Sequence, residues 1–534
     1  MTATDVYPDI AMQTDDIVSA RRHSVADILH RTARRFPAKI ALVGIDRTLN
    51  YQELDEAADA VAAALYRRGI RRGDRLALLS RNSWQFVVLT YATARAGIIA
   101  VPINFMLTAD EIAYILGNSE AAAFVTEPAF LPVAERALQS YGRPMTARAV
   151  VGSANSADWE DFSDWLFGEG SAPEVIVGDD DPVRIMYTSG TESRPKGALL
   201  SNKALIAQYT SCIVDGGMTG DDVDLHTLPL YHCAQLDCFL GPDVYLGATS
   251  IVLPAPDPSA ILAAIESHGV TKFFAPPTVW ISLLRSTKFD STDLSSLRKG
   301  YYGASAMPIE VLREIRDRLP AVRLWNFYGQ TELAPVATIL GPEDQEDHPG
   351  SAGRPVLNVD TVVLGEDNAP LPVGEVGEIA HRSPQATLGY WRDPVRTAEA
   401  FRGGWFHSGD LGYFDTEGRL TVVDRKKDMI KTGGENVASR EVEEAIYLHP
   451  AVAEVAVFAI PHPKWVESVC AVVVPKPGAE LDEQSVRSHC ANRLAGFKIP
   501  KHVVVAESLP KNPSGKIRKR DLRNSFAALA SKEK

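Results

Sequence analysis

Three observations predict an α/β fold. The chain is too long for one hydrophobic core, helical and strand-like hydrophobic periods alternate from about residue 24 to 180, and composition changes after Asp424. The 534 residues divide there into a large N-terminal domain, 1–424, of α/β sheets with a small antiparallel subdomain, and a C-terminal α+β domain, 425–534. About 110 residues are enough for a compact domain of their own.

Tyr51 to Tyr66 sets Leu54, Ala57, Ala58, Val61 and Leu65 on one face, the spacing of an amphipathic helix. Arg75 to Leu79 is a short apolar strand, and another helix begins near Trp84. The apolar run Val87 to Val101 contains Arg95 and falls short of the roughly 18 residues that mark a membrane span. It reads as a buried helix, a tight turn at Gly97 and a strand. A Ser-, Gly-, Asp- and Glu-rich stretch, 150–181, reads as surface connection. Val183 to Tyr187 is a strand that runs into the loop Thr188 to Gly197 and a helix from near Asn202, the usual order around captured phosphate.

Strands follow at Thr249 to Leu253, Lys272 to Ala275, Gly300 to Tyr302 and Val322 to Phe327, so a largely parallel sheet is expected. Between Asp360 and Arg382 the pattern shortens to hairpins around the turn Pro372-Val-Gly-Glu375. After Asp424 a basic, glycine-containing run to Asn436 forms a hinge. Beyond it come a helix with Ser439 as candidate N-cap and Val442, Ala445, Ile446 and His449 on one face, then strands at Val455 to Ile460 and Val469 to Val474. A helix near Glu483 to Leu494 and a strand at His502 to Ala506 complete the pattern.

Composition narrows the function classes. A formal net charge of −13 argues against the sequence-independent attraction to phosphate on which nucleic-acid binders depend. A local basic site for a phosphorylated ligand is compatible with it. The N-terminus is polar and acidic where a signal peptide needs a basic start and an apolar run, and no stretch is apolar enough to span a membrane. The five cysteines, Cys212, Cys233, Cys238, Cys470 and Cys490, form no CxxC pair and read as reduced thiols of a cytoplasmic protein. A homodimer is compatible with the sequence.

Tyr187-Thr-Ser-Gly-Thr-Glu-Ser-Arg-Pro-Lys-Gly197 is the most informative segment. Hydroxyls at Thr188, Ser189, Thr191 and Ser193, close backbone approach at Gly190 and Gly197, and the charge of Lys196 are what a triphosphate requires of a loop. A plain surface turn has similar composition. A Walker loop does not fit: Pro195 stands where the glycine before the lysine belongs, and Gly197 where the magnesium-binding hydroxyl belongs.

The segment resembles the signature loop of the adenylate-forming superfamily, which includes acyl-CoA synthetases, luciferases and peptide-synthetase adenylation domains. The resemblance continues in order. Pro229-Leu-Tyr-His232 is similar to the family's pocket-gating segment, and Tyr302-Gly-Ala304 with Asn326-Phe-Tyr-Gly-Gln-Thr-Glu332 to its adenine and magnesium motif. Trp405-Phe-His-Ser-Gly-Asp410 and Asp424-Arg-Lys-Lys-Asp428 resemble the ribose site and hinge, and Pro510-Lys-Asn-Pro-Ser-Gly-Lys516 the terminal lysine motif.

The resemblance implies an ATP-dependent ligase that activates a carboxylic acid as its AMP ester and passes it to coenzyme A, with a mobile C-terminal domain. The implied catalytic residues are Lys516, Glu332, Thr331 and His232. Glu332 and Thr188 would hold Mg2+, with Thr331 on the α-phosphate. Thr188, Ser189, Gly190, Thr191 and Lys196 would cradle the phosphates; Gly303, Ala304, Asn326 and Tyr328 would line the adenine. An alternative for the Tyr328 ring is core packing. Asp410 and Arg425 would bind the ribose. Lys427 sits at the hinge position, Gly433 and Gly434 would leave a narrow path for the pantetheine arm, and His232 would gate its end. Lys516 would neutralise charge between the attacking carboxylate and the α-phosphate. Without the motif it would be one of several C-terminal lysines, among them Lys511 and Lys519.

Relatives usually carry Thr-Gly where this chain has Glu192-Ser193. A carboxylate in a phosphate loop is unfavourable unless paired, and Arg194 offers a partner. Glu192→Thr is therefore expected to lower the KM for ATP in an ATP–pyrophosphate exchange assay; an unchanged or raised KM would count against this account. The segment Cys233 to Leu240 is expected to line the acyl pocket and mixes polar Gln235 and Asp237 with apolar groups. Fatty, aryl and polyketide-like acids all stay open. So do a carrier-protein pantetheine or nitrite in place of CoA, and a catalytically silent relative used as a binding protein.

Overall fold

The structure is a computed structural model and describes residues 15–152, 158–167, 175–188, 195–303, 307–511, 517–527 and 529. Local signals set its helices. Helix Tyr51–Arg67 starts at a capping box in which Asn50 accepts the Glu53 amide and the Glu53 side chain returns to the Asn50 amide. Its apolar stripe, Leu54, Ala58, Val61 and Leu65, is almost fully buried. Each large side chain there contributes about 1.5–3 kcal/mol. The apolar run after Ser83 forms helix Trp84–Arg95, turns at Gly97 (φ +65°) and enters strand Ile99–Pro102.

The described residues build four sheets. Seven strands run in the order Glu160–Asp161, Ala147–Val150, Ala123–Thr126, Arg75–Leu79, Ile99–Pro102, Pro182–Thr188 and Lys196–Ser201, parallel except for the last pair. A nine-stranded sheet has the parallel core Thr249–Val252, Val223–His226, Lys272–Phe274, Lys299–Gly303 and Arg323–Gly329, with antiparallel pairs at its margins. Asp360–Leu364, Gly377–Arg382, Phe406–Phe414 and Leu420–Arg425 make the antiparallel subdomain. A five-stranded sheet belongs to the C-terminal part.

Two local expectations are corrected. Strand Pro182–Thr188 is not followed directly by a helix; it pairs antiparallel with strand Lys196–Ser201, with Thr188 opposite Lys196. Helix Asn202–Asp215 follows one strand later, and protein acceptors occupy its first amides: Asp181 O (3.2 Å), Asp179 O (2.8 Å) and Ser201 Oγ (3.2 Å). No amide of that turn is left for an anion. Ser439 is the first helical residue rather than the cap of Ser439–Tyr447; its amide donates to Asp424 Oδ2 at 2.6 Å. The cap comes from 15 residues upstream, across the hinge.

His381 lies fully buried on strand Gly377–Arg382, with Nδ1 3.0 Å from the Thr361 hydroxyl. Burial depresses its pKa to about 3. The unfolded chain gains a proton at this ring below about pH 6.5, while the folded chain does not until about 3. The unfolded state thus binds more protons in that window, and stability falls as pH drops through it. Between pH 7.5 and 5 the wild type is expected to lose about 2 kcal/mol more than His381→Gln, read from urea unfolding of the two proteins at both pH values.

Candidate active site

Strand Arg323–Gly329 ends at a close crossing: a Cβ on Gly329 would fall 2.0 Å from Pro335 O. The chain then makes the short turn Thr331–Leu333. The Thr331 hydroxyl lies 3.3 Å from Cys233 Sγ, which brings the expected gating and magnesium segments together. Cys233 is buried, and desolvation pushes its thiol up to about 12, so it stays a neutral packing group rather than a nucleophile. His232 accepts the Ala234 amide at Nδ1 (3.1 Å) as cap of the short turn that follows.

Glu332 is half-buried, and its Oε1 accepts the Tyr390 hydroxyl at 2.8 Å. The described partner of this carboxylate is thus a neutral phenol and not a cation. A carboxylate oxygen is a hard donor of the kind magnesium takes. The Tyr390 ring also lies under the Lys196 ammonium, 5.2 Å from the ring centroid. Thr188 donates from its hydroxyl to Lys196 O at 3.5 Å across the hairpin. One chain of contacts therefore joins Thr188, Lys196, Tyr390 and Glu332. Tyr390 was not singled out in the sequence; a Gly-Tyr-Trp run is no local signal, because the partner lies 58 residues away.

At the other end, Asp410 faces Arg425 in register. Arg425 Nε is 3.3 Å from Asp410 Oδ1, and the Tyr328 hydroxyl donates to Oδ2 at 2.7 Å. Asp410 is 5% exposed, with both oxygens engaged once and lone pairs remaining for ligand hydroxyls. Tyr328 packs against two apolar clusters, Ala352, Val363, Ile379 and Leu420 in one and Leu333, Ala337 and Phe406 in the other, which gives weight to the packing alternative. Asn326 donates its amide to Ser351 O at 2.9 Å. A Cβ on Gly303 would meet Phe327 O at 2.4 Å, so the neighbouring strand alone requires glycine there.

Lys427 lies in the turn between strands Leu420–Arg425 and Ile430–Thr432, where Arg425 O accepts the amides of Asp428 and Met429 at 2.9 and 3.0 Å. Gly433 and Gly434 form the next hairpin turn with φ of +62° and +89°. A Cβ on Gly433 would also strike the Trp465 ring at 2.9 Å. Trp465, a second residue the sequence reading missed, carries Lys464 and Lys501 over its ring at 4.6 and 4.5 Å. Ser189, Gly190, Thr191, Glu192, Ser193, Arg194, Ala304 and Lys516 lie outside the described residues.

In the segment Cys233 to Leu240 both polar side chains find partners inside the protein. Asp237 pairs with the buried Arg184 and accepts the Tyr209 hydroxyl at 3.2 Å, inside the π-helical turn Leu236–Leu240. Gln235 donates to His226 Nδ1 at 2.7 Å. Both polar side chains are fully buried and serve internal contacts. Behind them Asp224, His226 and Asp243 form a metal-like trio, but the Lys272 ammonium stands among them, paired with Asp243 and 3.2 Å from Asp224.

The family model described as AMP-binding enzyme matches residues 29–391, and that of the AMP-binding enzyme C-terminal domain matches 441–516. A feruloyl-CoA synthase from an Amycolatopsis species is 36% identical over 93% of this chain and 98% of its own length. An indoleacetate–CoA ligase from Aromatoleum aromaticum is 34% identical over 94% of this chain and 98% of its own. The crystal structure of an anthranilate CoA ligase in complex with anthranoyl-AMP superposes with a TM-score of 0.89 at 27% identity, covering 96% of this chain and 99% of that one.

Proposed function

The chain belongs to the family of AMP-binding enzymes, and from that premise we propose which residues perform its two half-reactions and which class of acid it takes. It is an ATP-dependent acid–thiol ligase. A carboxylate oxygen attacks the α-phosphorus of ATP and pyrophosphate leaves; the CoA thiol then attacks the acyl carbon and AMP leaves.

In our reading Glu332 and Thr188 hold magnesium, which when bound neutralises charge on the phosphates. Thr331, its hydroxyl held against Cys233, donates to the α-phosphate. Lys196 and Thr188, with Ser189, Gly190 and Thr191, receive the triphosphate. Asp410 and Arg425 take the ribose, and Tyr328 acts through Asp410 more than by stacking, because its hydroxyl is committed there. Lys516 neutralises the two anions as they meet.

For the second half-reaction we take the domains to divide at 424/425, one residue before the subdomain's last strand ends at Arg425. Lys427 lies just beyond, and the Gly433-Gly434 turn admits the pantetheine arm. Trp465 with Lys464 and Lys501 gives that turn an aromatic, basic rim suited to the adenine and phosphates of CoA. A gating His232 would have to release the Ala234 amide. Among the described residues no helix is long and apolar enough to cross a membrane. All five cysteines are free, which supports a cytoplasmic location.

The acid we propose is an aryl-bearing carboxylic acid without a second charge. The absence of a second charge rests on the internal pairing of Gln235 and Asp237, which leaves neither side chain to meet one. The relatives named for ferulate, indoleacetate and anthranilate support the same class. Incubation with ATP, magnesium and a panel of aryl, fatty and dicarboxylic acids, with and without CoA, followed by mass spectrometry, tests it. Aryl-CoA products are expected; preferential turnover of fatty or dicarboxylic acids would overturn the assignment. Acyl-AMP that persists despite CoA would redirect the second step to another acceptor.

A further inference from the structure

We propose that Tyr390 is a positioning residue for adenylation, fixing the Glu332 carboxylate and tying it to Lys196 of the phosphate loop. The inference rests on the reading above in which Glu332 receives the metal. Its own basis is geometric. The Tyr390 hydroxyl donates to Glu332 Oε1 at 2.8 Å, and Tyr390 is the one hydrogen-bond donor to that carboxylate among the described residues. The ring face meets the Lys196 ammonium at 5.2 Å. A single side chain therefore touches the anionic and the cationic ends of the candidate triphosphate site.

The backbone around Tyr390 is held to match. Leu199 N donates to Gly389 O (3.0 Å) and Trp391 N to Gly197 O (2.7 Å), with Ala198 and Tyr390 bridged between them. This segment lies against the strand that leaves the phosphate loop. Thr387 N donates to Glu332 O at 2.7 Å, closing the other side, and Tyr390 N donates to Thr397 Oγ1 at 2.9 Å. Gly389, at φ +130°, permits the bend.

The physical consequence is preorganisation. A glutamate on a short turn has three free side-chain torsions, and ordering them on metal binding has an entropic cost. With Oε1 already bonded, part of that freedom is removed before a metal would arrive. Partners behind metal-binding groups act in this way, and their loss weakens metal affinity by about 10- to 100-fold. The ring contact makes the device two-ended, because a shift of Lys196 moves the same side chain.

The test uses the full chain and Mn2+ as probe, with free Mn2+ followed by electron paramagnetic resonance in the presence of saturating α,β-methylene-ATP. Tyr390→Phe, which keeps the ring and removes the hydroxyl, is expected to bind Mn2+ about tenfold more weakly. Its half-saturating Mg2+ in ATP–pyrophosphate exchange should rise in parallel, while KM for the acid and the thermal midpoint stay at wild-type values. Tyr390→Leu should also raise KM for ATP, as Lys196 loses its ring. Mn2+ affinity of Tyr390→Phe within twofold of wild type would overturn the inference. Glu332→Gln, measured beside it, separates the two claims. If it weakens Mn2+ binding while Tyr390→Phe does not, Tyr390 alone is misassigned; if Glu332→Gln binds Mn2+ as the wild type does, the metal reading of Glu332 falls and this inference with it.

Discussion

Lys516→Ala is expected to slow acid-dependent ATP–pyrophosphate exchange by about 10²- to 10³-fold, the usual loss when one preorganised donor to developing charge is removed. In the adenylation step a carboxylate approaches a phosphate that already carries negative charge, and water is a poor screen in a closed site. A lysine that reaches both partners lowers that barrier without binding either substrate more tightly, so the loss should fall on kcat more than on KM. Two rival lysines of the same tail are already engaged. Lys511 pairs with Glu454 at 2.6 Å, and Lys519 pairs with Glu443 at 2.8 Å and donates to Ser439 Oγ at 2.9 Å. The ends of the loop meet in a bridge between Lys511 and Ile517, with Arg518 N on Pro510 O at 2.8 Å. Lys511→Ala and Lys519→Ala should thus leave exchange within a few fold of wild type. Thioesterification of chemically prepared acyl-AMP should survive Lys516→Ala, because the second half-reaction makes no use of the α-phosphate contact. Exchange at the wild-type rate in Lys516→Ala would remove this residue from the chemistry.

The assignment of Lys516 shows which parts of the molecule can be read along the chain. Capped amphipathic helices are legible because cap and stripe are local: Asn50 with Glu53, and Leu54 through Leu65. Strands with continuous apolar runs, such as Arg75–Leu79, are legible for the same reason. Strand Lys196–Ser201 was hidden because Lys-Gly-Ala-Leu-Leu-Ser reads as the approach to a helix, and only pairing with Pro182–Thr188 makes it a strand. The cap on Ser439 was illegible in another way, since its acceptor, Asp424, lies beyond a hinge. Motif order placed Asp410 and Arg425 in one site, and the register confirms that they face each other. The fate of Gln235 and Asp237 could not be read, because the partners that take them inward, His226 and Arg184, come from other strands. Tyr390 and Trp465 escaped for the same reason: each acquires meaning from a neighbour that only the fold supplies.

Lys272→Met is expected to be the most destabilising single substitution in the N-terminal domain, by about 3–5 kcal/mol, the range for removing one partner of a buried charge pair. Lys272, Asp224, His226 and Asp243 are all fully buried. Burial alone would lower the Lys272 ammonium, but Asp224 and then Asp243 hold it above its ordinary pKa. Burial pushes Asp224 up to about 7 against the pull of Lys272, while for Asp243 the lysine and His226 outweigh burial and keep it low. Methionine fills much of the same volume, so the loss would be electrostatic rather than a cavity. The pH dependence identifies the cause. Without the ammonium both carboxylates resist ionisation in the folded state, which then binds more protons than the unfolded chain above about pH 4. Stability of the variant must therefore rise as pH falls from 8 to 5.5, relative to wild type, in urea titrations at the two values. A loss independent of pH would point to packing instead. The cluster also bears on function, because Gln235 of the acyl-wall segment hangs on His226 at 2.7 Å, and His226 lies 3.2 Å from Asp243. Where Lys272→Met remains folded at low pH, KM for the acid should rise while KM for ATP holds, since Asp410 and Arg425, the residues proposed for the nucleotide, belong to a different sheet.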